Sequence, residues 1–210
     1  MTRISHSELS VALQDFAAWW RLKQTPATGG RRLGYAQAVK LAIYKYHSTQ
    51  SNRDASLAHF DQLVTARLTN AQRIAQARLQ LQAYMEWTER SGVIVADHRV
   101  RISLALEGDV VLGGEVSRID LEPKGYRAVL LMAQVPARWR QEPRMPLIQL
   151  AIADKYQRSP DEVSVAVQRL DGTALTEAAF AANVRDAATA SAIAIARQIV
   201  RASKRSGRRS

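Results

Sequence analysis

Residues 99–135, RVRISLALEGDVVLGGEVSRIDLEPKGYRAVLLMAQV, decide the fold. At their start, Val100, Ile102, Leu104 and Leu106 alternate with Arg99, Arg101, Ser103 and Ala105. That period of two belongs to a strand with one buried face. Glu107-Gly108-Asp109 reads as a hairpin turn and 110–122 as a second strand, where Gly113-Gly114 is expected to mark a bulge or a close backbone approach. Pro123-Lys124-Gly125 turns the chain again. The stretch 126–135 is apolar on both faces, which places it in the middle of a sheet.

Before this meander the periodicity is helical. Residues 5–23 predict one capped amphipathic helix, with Ser5 or Ser7 as N-cap and Leu9, Leu13, Phe16 and Trp20 on one face. TPATGG breaks the chain at 25–30. Further helices are expected over 35–47, 55–67 and 70–90, the last capped by Asn70. After the meander, a loop WRQEPRMP (139–146) precedes a helix over 147–156, a strand over 163–170 and a final helix over 176–202. The expected architecture is α+β (mixed α/β): one domain over 1–202, with a helical part to 92, a mixed sheet of four to five strands over 93–172, and a C-terminal helix. A basic, disordered tail is expected over 203–210.

Composition narrows the chemistry. The chain has 210 residues, 47% of them apolar, and no cysteine. Disulfides, thiol nucleophiles and cysteine-ligated clusters are excluded. His6, His47, His59 and His98 show no metal-ligand spacing, so no cofactor is expected. No segment reads as a signal peptide or membrane span, and a cytoplasmic location is expected. Thirty Lys and Arg against nineteen Asp and Glu give a net charge of +11, which points to a polyanionic partner.

Five segments resemble the RecB-like branch of the PD-(D/E)XK nucleases, which includes phage exonucleases and CRISPR-associated nucleases. ISHSELSVALQDFAAWWRLK (4–23) is similar to the family's opening helix, and LGYAQAVKLAIYKYH (33–47) to its histidine-bearing helix. GGEVSRID (113–120), YRAVLLMAQVP (126–136) and PLIQLAIADKYQRSPDEVSVAVQRLDG (146–172) follow in the family's order. The resemblance implies a restriction-endonuclease-like fold and a metal site of two carboxylates and a lysine. At the matching positions stand Ser117, Leu130 and Met132; the helix histidine is replaced by Ala38 and the first cluster cysteine by Phe16. Hard-oxygen ligation of Mg²⁺ or Mn²⁺ is impossible for Leu and Met. The resemblance therefore implies a pseudonuclease that binds DNA or RNA within a complex, beside a helicase, a nuclease or a CRISPR-like assembly.

Two alternatives stay open. Glu122-Pro123-Lys124 is a literal (D/E)XK string, so a relocated centre using Asp109 or Asp120 with Glu122, Lys124 and Mg²⁺ or Mn²⁺ is one. A protein-interaction scaffold, docking through the helix at 70–90 or at 176–202, is the other. For nucleic acid, the expected contacts are Arg118 on the strand lining the former site, and the loop residues Arg138, Trp139, Arg140 and Arg144, with Trp139 either a stacking surface or tucked onto the core. Arg31 and Arg32, and Lys204, Arg205, Arg208 and Arg209 of the tail, complete the set.

Overall fold

Alternation and turn chemistry are realised almost residue for residue in the sheet. The computed structural model describes residues 2–25, 33–65 and 67–206. Strands β2 (Ile94–Ala105), β3 (Val110–Glu122) and β4 (Gly125–Met132) form the expected antiparallel meander. β4 then pairs in parallel with β5 (Val163–Arg169). Two short strands were not expected: β1 (Thr2–Ser5) lies parallel to β3, and β6 (Thr176–Ala178) is antiparallel to β5. The result is an α+β arrangement on a mixed six-stranded sheet, ordered β1-β3-β4-β5-β6 with β2 on the other side of β3.

The amino-terminal segment is two helices, not one. α1 (His6–Gln14) ends where Asp15 turns extended, at φ −148° and ψ 91°, and the Asp15 carboxylate caps α2 (Phe16–Gln24) by accepting from the Ala18 amide. A short polar side chain that competes for backbone donors suits such a break. Ser5 is the N-cap of α1, in a capping box with Glu8. α3 (Tyr35–Ser48), α4 (Arg53–Thr65) and α5 (Ala71–Ser91) follow, the last capped by Asn70 and stopped by Gly92 in the left-handed conformation.

α6 spans Arg144–Lys155, so Arg144 opens a helix instead of belonging to the preceding loop. α7 spans Ala182–Ser206, starting later than expected because Thr176 and its neighbours pair with β5, and running past 202. Basic residues in its last turns suit a helix C-terminus.

Three apolar clusters hold the layers together. α6 packs on one side of the sheet, against Ile119, Leu130, Val165 and Val167. α3, α4 and α5 pack together with Leu131 and Leu170. α1, α2 and α7 close around Ile4, Leu112 and Leu147, with Ala188, Ala192, Ile195 and Ile199 as the buried stripe of α7. The apolar face of α7 is thus packed inside the fold.

Candidate functional site

β3 is paired along its length with β2, but its other edge is shared. β1 covers Val110 to Gly113, and β4 covers Arg118 to Glu122. Among the described residues, 114–117 have no strand partner on that edge, so the sheet forks. Side chains complete the hydrogen bonding there: His6 Nε2 lies 3.3 Å from the Glu115 carbonyl, and the Ser117 hydroxyl accepts from the Leu131 amide at 3.0 Å. Gly113 and Gly114 make room for this. A Cβ on Gly114 would lie 1.9 Å from His6 Cδ2, and one on Gly113 2.1 Å from Arg3 Nε. The expected close approach is real, made by side chains instead of backbone, and β3 carries no interruption.

The fork opens into a cleft of about 560 Å³ walled by α1, α3, β2 and α6. Glu115 is its sole carboxylate among the described residues. It accepts from the Tyr44 hydroxyl at 2.8 Å and from Arg99 Nε at 3.1 Å. Lys40 and Arg99 lie 5.7 and 5.9 Å from the Tyr44 ring centroid. Arg144 adds a third cation and pairs with Glu142. Arg99 sits at φ 53°, a left-handed conformation that arginine rarely adopts and that is concentrated at functional sites. Leu41, Leu130, Leu131 and Met132 supply the apolar part of the lining.

Burial sets the protonation of these groups. Desolvation, reinforced by the Arg144 charge, pulls His6 down to about 4. Burial also lowers Lys40, against the opposing pull of Glu115, and raises Tyr44. The Glu115 carbonyl can only accept, so His6 carries its proton on Nε2, and Nδ1 is a buried acceptor without a partner.

Of the positions that the resemblance sets against a metal centre, two line this cleft. Ser117 is buried behind it, while Leu130 and Met132 line it; Ala38 is packed in the helical core one turn from Lys40 and Leu41. His6, Lys40, Tyr44, Arg99 and Glu115 were missed at the sequence level because they come from four separate elements. Four of them lie inside the segments quoted above, beside the replaced positions, which was the available signal.

Several expected contacts require correction. Arg118 does not reach the cleft: it is fully buried, clamped on Asp120 and Tyr84, with its guanidinium 5.1 Å from the Trp87 ring centroid. Trp139 is 3% exposed and belongs to the core, so it offers no stacking surface. Its apolar area found a better place against Met145 and Ile148 than water would give. Arg140 lies over Trp139 and donates to the Glu177 carbonyl, and Arg138 is exposed. Lys204 is exposed with Arg201 beside the β2–β3 hairpin. Arg31, Arg32, Arg208 and Arg209 lie outside the described residues, as does the Arg205 side chain.

The relocated centre is not assembled either. Asp120 is fully buried between Arg118 and Arg127, Glu122 pairs with Arg127 at 2.7 Å, and Lys124 is exposed at the turn. Asp109 precedes the opposite end of β3, roughly 40 Å of strand away at ~3.3 Å per residue. Among the described residues, no group of three or more His, Cys, Asp and Glu is placed to hold a metal ion, and no helix is long and apolar enough to cross a membrane.

No family model and no curated protein matches this chain. A solved structure described as "Crystal structure of SSO0001" is similar at 8% identity and a TM-score of 0.37, covering 90% of this chain and 84% of that one. A likeness at that level assigns neither family nor function.

Proposed function

We propose that this chain binds nucleic acid without cutting it, on a RecB-like nuclease framework whose metal centre has been replaced. In this reading it acts in the cytoplasm, as a subunit that holds a strand for a helicase, a nuclease or a CRISPR-like assembly. One observation carries it: Lys40, Arg99 and Arg144 converge from α3, β2 and α6 on a single cleft that holds one carboxylate. Three cations against Glu115 and the Glu142 carboxylate on Arg144, with His6 neutral, leave the cleft positive by one charge, and guanidinium groups suit phosphate oxygens. The left-handed backbone at Arg99 is the kind of strain that a binding site retains. The overall +11 adds a sequence-independent attraction.

Replacement of the centre is supported by where Ser117, Leu130 and Met132 lie. The serine hydroxyl is already used by the Leu131 amide, and the other two offer no oxygen to a divalent cation.

The experiment is binding and degradation of labelled single- and double-stranded DNA and RNA over a salt series, with Mg²⁺ or Mn²⁺ present. Affinity that falls steeply with salt, without cleavage, is the expected result. A Lys40→Met/Arg99→Met/Arg144→Met variant is expected to lose at least about tenfold, from one lost phosphate contact or more. Metal-dependent cleavage abolished by Glu122→Ala/Lys124→Ala would overturn the reading in favour of a relocated centre. Absence of binding to every polynucleotide would overturn it in favour of a scaffold.

A further inference from the structure

A cleft that held only a phosphate would need cations and no more. This one also presents Leu130 and Met132, side by side with Lys40 and Arg144, in the same cavity of about 560 Å³. That volume lies in the range of roughly 300–1,000 Å³ typical of small-molecule sites, whose walls are largely apolar with a few placed polar groups. An anion joined to a flat, apolar body uses both parts of such a lining.

His6 adds the third element. It is 8% exposed, its Nε2–H is taken by the Glu115 carbonyl, and its Nδ1 has no partner. Burial and the neighbouring Arg144 and Lys40 charges keep the ring neutral. A neutral Nδ1 has no proton to give a phosphate oxygen. Nδ1 is closed to solvent, so His6 lines the cleft as a neutral ring and offers a ligand no acceptor.

We propose that the cleft is a nucleotide pocket: one unpaired nucleotide lies with its base on Leu130 and Met132, beside the His6 ring, and its phosphate on Lys40, Arg99 and Arg144. The apolar patch that takes the place of a metal site becomes the floor for the base. The inference rests on the nucleic-acid reading above. It requires a base free of the duplex, because a base stacked between its neighbours cannot lay its face on the patch.

The test is calorimetric titration of the full chain at low salt and pH 7 with adenosine monophosphate, ribose 5-phosphate and inorganic phosphate. Alongside it, the affinity of a labelled single strand is compared with that of the same strand fully duplexed. The nucleotide is expected to bind at least about tenfold more tightly than ribose 5-phosphate, the scale of one base packed on an apolar surface. It is also expected to displace the single strand. Met132→Gln, at a half-buried position, should shrink the ratio between the two ligands about threefold or more while leaving ribose 5-phosphate unchanged. Nucleotide and ribose 5-phosphate affinities within twofold of each other, or a ratio untouched by Met132→Gln, would overturn the pocket. Salt-sensitive strand binding in that event leaves the nucleic-acid reading in place. If no polynucleotide binds, that reading falls, and the pocket is judged by the ligand ratio alone.

Discussion

Arg118 and Asp120 carry opposite charges through the middle of the fold without reaching water. Asp120 accepts from Arg118 and, through Oδ2, from Arg127 at 3.0 and 3.1 Å. Arg118 also donates to Tyr84, which leaves the tyrosine hydroxyl free to donate to His47 Nε2 at 2.8 Å. Burial of such ions is tolerable only while each keeps its partner. Asp120→Asn is expected to destabilise the protein by roughly 3–5 kcal/mol, measured as the shift in urea midpoint at constant slope, because two guanidiniums then face a neutral amide. The cleft does not use Asp120, so nucleotide affinity of the folded fraction should be unchanged. A fall in midpoint below about 1 kcal/mol would show that the network is better hydrated than its burial indicates. The histidines give a second residue-scale expectation. Burial lowers His6 to about 4 and His47 to about 3, in both cases ahead of neighbouring positive charge. The folded state therefore binds fewer protons than the unfolded chain, whose histidines titrate near 6.5. Stability from these groups is fully present above that value. It falls as pH drops through 6.5 toward 4 and 3, by about 2 kcal/mol apiece down to pH 5. His47→Gln keeps an acceptor for Tyr84 and removes the titration. Its melting temperature should drop less than that of the wild type between pH 7 and pH 5, and an equal drop would place the acid sensitivity elsewhere.

Among the elements, the fork between β1 and β4 is what creates a site, and Gly114 is what allows the fork to close on His6. Gly114→Ala places a methyl 1.9 Å from His6 Cδ2 and 2.6 Å from Nε2, on a ring held by its bond to Glu115. The ring must leave, and the bare carbonyl of Glu115 then loses its donor. The expected outcome is a loss of about 1–3 kcal/mol of stability, the cost of an unsatisfied buried group, together with loss of nucleotide binding. Titration of the variant with adenosine monophosphate checks it; undiminished affinity would remove His6 from the site. The elements themselves were largely legible. Alternation, Gly-containing turns and the Asn70 cap gave β2 to β5 and α5 because local chemistry and burial agree there. β1 was illegible because four residues, Thr2–Ser5, carry no period, and only Val110 to Gly113 give them a strand to join. The break at Asp15 was hidden by an apolar stripe continuing through Leu13, Phe16 and Trp20 on both helices. Which of its two expected places Trp139 takes was illegible for a related reason. Arginines surround it in sequence, and only packing against α6 decides that the indole goes inside. The cleft was half legible: Leu130 and Met132 could be named, but not the residues from α1, α3 and β2 that join them.

At the scale of the whole molecule, two groups of cations stand apart. Lys40, Arg99 and Arg144 surround the cleft, while Arg197, Arg201 and Lys204 lie along the end of α7 beside Glu107 and Gly108. Gly108 is six residues from Gly114, about 20 Å along the strand direction at ~3.3 Å per residue. The two regions are therefore farther apart than the Debye length of ~8 Å at physiological salt, so neither tunes the other directly. One can act as a specific pocket and the other as a sequence-independent anchor. Removing residues 203–210 takes away Lys204, Arg205, Arg208 and Arg209, so the +11 chain becomes +7. Each lost phosphate contact lowers the slope of log K against log salt by about 0.9 on duplex. The truncated chain should then show a slope shallower by at most about 3 to 4, with weaker binding to long polynucleotides at low salt. Affinity for adenosine monophosphate should stay within twofold, because the pocket keeps all three of its cations. Measured slopes for the two chains decide it. An unchanged slope would mean that the tail makes no phosphate contact and that the folded cleft carries the whole of the electrostatic attraction.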